Sequence, residues 1–113
     1  MAEALKKLAQ VNLTNADAAI YTAAALTTTT IIAIYKTNID TTDRTFRLHQ
    51  VSGGGTSSVS NALYYDEPVT AKRVHPRIDS GIVIEPGQSL RGLCSSTGTV
   101  TVTVFGVESV ESA

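Results

Sequence analysis

The densest group of ionisable side chains lies in one short stretch that contains Lys72, Arg73, His75 and Arg77. Cationic side chains at this density can contact phosphate groups or form salt bridges with the carboxylates of a neighbouring subunit. The whole chain has a formal net charge of -1, and no aromatic side chain interrupts the basic stretch. No global field therefore attracts nucleic acid or an anionic membrane. We expect no nucleic-acid partner, and we assign the stretch to a candidate assembly interface.

Histidine and cysteine are too scarce to form a metal site or a nucleophilic centre. A zinc site needs three or four converging ligands, and the chain offers only His49, His75 and Cys94, which are far apart in sequence. We expect both histidines to be exposed in a strand or turn. Cys94 follows Leu93 in an apolar run and should be a small buried hydrophobe, because no neighbouring base would activate its thiol. We expect no metal.

A glycine-rich loop also fails as a ligand site. Gly53 to Gly55 lack the Lys-Ser/Thr pair of a phosphate-binding loop and precede no helix pattern, so Ser52 to Ser60 should be a flexible hairpin tip. Two acidic pairs, Asp40 with Asp43 and Asp66 with Glu67, could bind calcium. They lack the glycine-spaced loop of an EF-hand and are typical of turns and strand ends. We therefore expect no catalytic residues and no cofactor.

The last third of the chain gives the clearest structural signal. Ile82 to Ile84 and Leu90 to Cys94 are short apolar runs that end in turns, and Thr99 to Val104 alternates threonine and valine. This period of two predicts a strand with one buried face. The inward-facing residues of this strand should be Val100, Val102 and Val104.

The first two thirds continue the same pattern. Strands are predicted at Ala18 to Ala25, at Arg44 to Val51 and at Asn61 to Glu67, where Pro68 ends the strand or marks an edge. Leu26 to Ile39 has an uninterrupted apolar centre, which favours a central strand covered on both faces. The 113 residues suffice for one domain. We predict an all-β fold: a single antiparallel β-sandwich or jelly-roll-like domain of about eight strands, residues 11–110.

The N-terminus departs from this pattern. Leu5 and Leu8 would share one face of a short helix at Ala2 to Leu8, which is too short to be stable alone. We predict that residues 1–10 form a docking arm outside the sandwich. The segment lacks the apolar core of a signal peptide, and no run in the chain has the length needed to span a bilayer. We expect no membrane association.

The order of these features resembles a known family. The segments that carry the resemblance are Tyr21-Thr22, the run from Thr27 to Asn38, Thr45 to Leu48, Tyr64 to Asp66, Glu85 to Leu90, and Val102 to Glu108. Together they are similar to the small β-sandwich virion structural proteins of tailed bacteriophages, which include head decoration, neck and tail-attached modules. The resemblance implies a homo-oligomer, often a trimer, seated on a larger virion protein such as the major capsid or tail protein. It implies no catalytic residues.

We therefore expect a non-enzymatic virion protein, made in the host cytoplasm, that decorates or cements the capsid. Two alternatives remain. One is a neck, tail or baseplate structural or attachment protein. The other is a carbohydrate-binding module for host adhesion, for which the only exposed aromatic platforms would be tyrosines. The candidate assembly interface consists of Leu5, Leu8, Lys72, Arg73, His75 and Arg77.

Overall fold

The computed structural model describes residues 4–111 and confirms the predicted all-β fold. Eight strands and one short 3-10 helix, Val59–Asn61, make up the regular structure of this part of the chain. The strands are β1 (Leu5–Asn12), β2 (Ala18–Thr22), β3 (Thr27–Asn38), β4 (Arg44–Val51), β5 (Ala62–Val69), β6 (Ile82–Ile84), β7 (Ser89–Cys94) and β8 (Val100–Val110). Within residues 4–111 no helix has the length and apolar composition needed to cross a membrane.

The strands form two four-stranded antiparallel sheets that pack as a jelly roll. Sheet 1 has the order β1-β8-β3-β6, and sheet 2 has the order β2-β7-β4-β5. Strands from the two halves of the chain alternate across each sheet. The interior includes Val102 and Val104, as the sequence predicts, together with Phe46 and Leu48 of β4, and none of these residues is exposed to solvent. Cys94 is buried, as predicted.

Strand β3 lies in the interior of sheet 1, between β8 and β6, but only one of its faces is covered by the chain. Ile32 and Tyr35 are 41% and 40% exposed. A register shift against β8 between Ile31 and Ala33 inserts one extra residue. Such a bulge reverses which residues point inward, so Ile31 and Ile34 both reach the core. The predicted cover on both faces is therefore wrong within the isolated chain.

The predicted N-terminal helix is also wrong where the structure describes it. Residues 5–8 belong to β1, which pairs with β8, so the predicted boundary at residue 10 falls inside a strand. A register shift between Lys7 and Ala9 makes Leu8 a bulged residue that packs against the core. Leu5 and Leu8 therefore do not share a face, because Leu5 is 63% exposed whereas Leu8 packs against the core. Ala2 and Glu3 lie outside the described residues.

Two edge strands, β5 of sheet 2 and β6 of sheet 1, are irregular or short. Pro68 lies within β5, at the edge of sheet 2, as the sequence allowed. Asp66 in the same strand has a left-handed backbone with φ of 53°, and the pairing with β4 shifts on the N-terminal side of this residue. Strand β6, at the edge of sheet 1, has three residues. These features leave little continuous backbone for another strand to pair with.

The close approach of β7 and β4 depends on a residue without a side chain. A Cβ atom added at Gly92 would lie 2.6 Å from the carbonyl oxygen of Arg47 and 2.8 Å from Cδ2 of Leu48. Gly92→Ala should therefore lower the free energy of unfolding by about 1–3 kcal/mol or more, because the backbone must shift to relieve the overlap. Urea denaturation measures this change.

Gly53→Ala is the matched control for this substitution. Its added Cβ atom would meet its nearest neighbour, the carbonyl oxygen of Gly87, at 3.3 Å. Gly53→Ala should lower the free energy of unfolding much less than Gly92→Ala does. Equal losses in the two variants would contradict the role assigned to Gly92.

Candidate functional site

The main concentration of polar side chains inside the sandwich surrounds a buried lysine. Lys36 lies in β3, and the bulge at Ile32 turns its side chain toward the interior, where its exposure is 0%. Its Nζ donates hydrogen bonds to Oδ2 of Asp79 at 2.5 Å and to the carbonyl oxygen of Arg77 at 2.6 Å. A third, longer bond goes to the Tyr64 hydroxyl at 3.3 Å. The ammonium group is thus fully surrounded by acceptors, as a buried charge requires.

The aspartate that receives this lysine is also held by sheet 2. The hydroxyl of Tyr64, in β5, donates to Oδ1 of Asp79 at 2.7 Å. Both oxygens of the carboxylate therefore accept a hydrogen bond, Oδ2 from Lys36 in sheet 1 and Oδ1 from Tyr64 in sheet 2. Burial lowers the pKa of Lys36, although its bonds to Asp79 act in the opposite direction. Burial, followed by the hydrogen bond to Asp79, raises the pKa of Tyr64.

The residues between β5 and β6 close this cluster, and we call residues 70–81 the covering segment. Part of the segment runs alongside β3. Val74 forms an isolated bridge with Thr37, and the backbone nitrogen of His75 donates to the carbonyl oxygen of Lys36 at 2.7 Å. Asp79 comes from the irregular end of this segment. An otherwise unstructured connection is thereby fixed to the interior of the fold through the Lys36 side chain.

His75 completes the cluster in a position that the sequence did not predict. We expected an exposed side chain, but His75 is only 5% exposed. Its ring contacts Phe46 and Tyr64 at centroid distances of 5.4 and 5.5 Å. Its Nε2 lies 3.0 Å from Oε2 of Glu67. His49 is likewise 3% exposed, so the predicted exposure of both histidines is wrong. Both rings are covered because each has a hydrogen-bonding partner that allows burial.

An open groove of about 610 Å³ borders the cluster along β5. Tyr65 and Arg77 belong to its lining, together with the exposed edges of Tyr64 and His75. The free face of Tyr65 is reduced because the Arg47 guanidinium lies 4.0 Å from its ring centroid. Arg47 is also bonded to Asp66, and this bond lowers the pKa of that carboxyl.

The glycine-rich loop joins the antiparallel strands β4 and β5, as predicted for a hairpin, but it is docked on sheet 2 and does not project freely. The Ser57 hydroxyl donates to Oδ1 of Asp17 at 2.9 Å, and Oδ1 of Asn61 lies 2.9 Å from Nδ1 of His49. The loop thereby covers the outward side chains of His49 and Val51, which are 3% exposed. Within the described residues no group of three or more histidine, cysteine or acidic side chains could hold a metal ion.

A second polar cluster joins the sheets beside β1. The Tyr21 hydroxyl donates to Oε2 of Glu108 at 2.5 Å and lies 2.6 Å from the Thr29 hydroxyl. Lys6 pairs with Oε1 of the same carboxylate at 2.5 Å. Burial and the Glu108 carboxylate raise the pKa of Tyr21 to about 12. This arrangement fastens β1 to the sandwich.

The outer face of sheet 1 carries no charged side chain on its two central strands, β8 and β3. We use this name for the outward side chains of β3 and β8 at positions 28, 30, 32, 33, 35 and 37 and at positions 101, 103, 105 and 107. None of them is charged. Tyr35 and Phe105 contact each other edge to face at its centre, with ring centroids 5.8 Å apart.

The six residues of the candidate assembly interface lie on separate parts of the molecule. Leu5 is 63% exposed and pairs with Val107, whereas Leu8 packs on the core. Lys72 lies beyond the other end of β3, where its backbone nitrogen donates to Asp40. About ten residues of β3 and its extension, roughly 30 Å, separate these two ends. Arg73 and Arg77 are exposed and His75 is buried.

The arrangement around Lys36 places an amine, a carboxyl group and a phenol in contact, without a groove that reaches the amine itself. Such a set can hold two sheets together or react internally, but it offers no approach for a substrate to Lys36. No protein-family model, no curated protein and no solved structure matches this chain.

Proposed function

We propose that this protein is a non-enzymatic structural module of a tailed-phage virion, which acts as a homo-oligomer to decorate or cement the capsid. The observation that carries the proposal is the uncharged outer face of sheet 1, with Tyr35 and Phe105 at its centre. Large exposed apolar patches mark interaction sites. Aromatic side chains are enriched in interface cores, whereas charged side chains are depleted there.

The size of this face fits a contact between subunits. Together with the adjacent β1, whose Lys7 pairs with Phe105, strands β3 and β8 present roughly 500 Å² at about 4.8 Å spacing and about 3.3 Å per residue, before side-chain relief is counted. A standard interface buries about 800 Å² per partner. The exposed side chains of Leu5 and Val83 lie at the margins of the same face and extend it. A second copy would meet no like charge across β3 and β8.

The fold is consistent with this proposal at the level of analogy. Jelly rolls occur in viral capsid proteins and also in lectins, and a fold alone does not specify a function. The resemblance of the sequence to small phage virion proteins favours the first group. The Lys36 amine is bonded to Asp79 and Tyr64 and is not exposed to a substrate.

Tyr35→Asp is expected to convert the oligomer, which we expect to be a trimer, into monomers. The change places a charge at the centre of the proposed interface, where desolvating it would cost several kcal/mol. Light scattering at micromolar concentration measures the mass, and circular dichroism checks that the sandwich is folded. A wild-type monomer would contradict the proposal.

Tyr65→Asp is the matched control, because Tyr65 is a similarly exposed tyrosine, 47%, on sheet 2. This variant should retain the wild-type mass. If it also produced monomers, the interface would have to be sought on sheet 2.

Copy number in purified particles separates the positions in a virion. Many copies per major capsid protein would support head decoration, whereas a small fixed number would support a neck, tail or baseplate position. A chain that is absent from particles would exclude a virion role. Particle proteins can be quantified by mass spectrometry.

The second candidate function is carbohydrate binding for host adhesion. The specific observation that favours it is the groove along β5, which combines Tyr65 with Arg77 and the edge of His75. Aromatic rings beside polar groups are suited to sugars, although Arg47 already covers one face of Tyr65. A glycan array tests this function directly, and Tyr65→Ala should abolish any signal that arises from the groove.

A further inference from the structure

The Lys36 amine and the Asp79 carboxyl group are in contact, which is the arrangement that amide formation requires. Lys36 is 0% exposed, and its Nζ lies 2.5 Å from Oδ2 of Asp79. The other carboxylate oxygen, Oδ1, accepts a hydrogen bond from Tyr64 at 2.7 Å. The side chain of Asp79 is itself 13% exposed. The amine therefore remains next to the carboxyl carbon in a largely water-free space.

We propose that Lys36 and Asp79 condense into an isopeptide bond between Nζ and Cγ, which joins β3 covalently to the covering segment. Nothing in this inference depends on the virion role. The two residues are 43 positions apart in sequence, so the bond would close a large loop inside the chain. It would be a self-catalysed modification that requires no second protein.

The step balances without an oxidant or a cofactor. A proton moves from the Nζ ammonium to Oδ2, which converts the ion pair into a neutral amine and a carboxylic acid. The Nζ lone pair then attacks Cγ, and a tetrahedral centre forms with its negative charge on Oδ1. The second proton passes from Nζ to the Oδ2 hydroxyl, which leaves as water. The C–N bond replaces the C–O bond, and the products are one amide and one water molecule.

The surrounding groups promote the condensation. Two groups held in contact react as if at a very high effective concentration. Burial favours the neutral amine, which is the nucleophilic form. The Tyr64 hydroxyl is positioned to stabilise the negative charge that develops on Oδ1. The low water content of the site opposes hydrolysis of the amide.

Mass spectrometry of the intact, denatured protein tests the proposal. The wild-type chain should be lighter than its sequence mass by one water molecule. Trypsin should then leave Lys36 uncleaved and release a branched peptide in which Leu8 to Arg44 is joined to Ile78 to Arg91. A full sequence mass, or cleavage after Lys36 to give the three linear peptides 8–36, 37–44 and 78–91, would overturn the proposal.

Variants assign the loss of water to this pair. Lys36→Arg and Asp79→Ala should both have their full sequence masses. Glu108→Ala, which removes the more exposed Lys6–Glu108 pair at the other end of the sandwich, should still lose water. A succinimide at Asp79 would also lose one water, but it would persist in Lys36→Arg and give linear peptides, and that result would overturn the crosslink.

The contribution of Tyr64 has its own measurement. Tyr64→Phe removes only the hydroxyl that bonds Oδ1 and should slow the appearance of the lighter species at least tenfold after refolding from denaturant. Far-UV circular dichroism checks that the variant is folded. Both proteins must begin as chains that have never folded, such as those recovered from inclusion bodies, because denaturant does not break an amide bond. Conversion at the wild-type rate would show that Tyr64 does not stabilise the developing charge.

Discussion

Asp79→Ala is expected to lower the free energy of unfolding by about 3–5 kcal/mol relative to the wild-type chain before Lys36 and Asp79 condense, because it leaves the Lys36 ammonium buried without a counter-ion. Two acceptors would remain, the Arg77 carbonyl oxygen and the Tyr64 hydroxyl, and neither carries a charge. The covering segment would also lose its attachment to β3. Urea denaturation measures the loss, and the reference is wild-type protein that has just folded for the first time and still has its full sequence mass.

A double variant provides the control for this prediction. Lys36→Met combined with Asp79→Ala removes both charges and fills the space of the lysine stem. It should recover a substantial part of the stability lost in Asp79→Ala alone, since no unpaired charge remains. If the double variant is as unstable as the single one, the loss does not arise from an uncompensated ammonium.

Val104→Asp is expected to abolish folding, with a loss of at least about 4 kcal/mol, because it buries an unpaired carboxylate. Val104 is 0% exposed and pairs with Ile34 and Ala9, which offer no cation. Val102 is less suited to this test, because it pairs with Lys36 across the sheet.

Thr101→Asp is the control on the opposite face of the same strand. Thr101 points outward and accepts a hydrogen bond from the Asn12 side chain. This variant should lose less than about 1 kcal/mol, as surface substitutions do. Circular dichroism and urea denaturation measure both variants. Equal damage would contradict the inward and outward assignment of β8.

The strands could be predicted from the sequence wherever alternation is unbroken. In β8 the threonine and valine alternation runs without interruption, and the inward valines are those predicted. In the other strands, bulges limited the prediction of which side chains face inward, because one inserted residue reverses the orientation of every later side chain in the strand. The bulge at Ile32 turns Lys36 inward, and the bulge at Leu8 packs two consecutive residues, Leu8 and Ala9, against the core. Short-range pattern alone does not reveal an inserted residue.

The central pair of the candidate site could be predicted only in part. Once Ile34 is known to face inward, period two places Lys36 inward as well, and a buried lysine must have a partner. Nothing local identifies Asp79 as that partner, since it lies 43 residues away in an irregular segment. His75 was misjudged for the same reason, because Glu67 and the rings that cover it come from β4 and β5.

The interrupted edges of the sheets limit how this protein can grow into larger assemblies. A sandwich that adds strands at its edges extends without end, as fibres do. Here Pro68 and the left-handed Asp66 interrupt one edge, β6 is short, and β1 carries Lys6 and Lys7. Self-association is left to the faces, where rotational symmetry closes a ring after a few copies. A concentrated solution should therefore contain discrete particles of one size and no filaments.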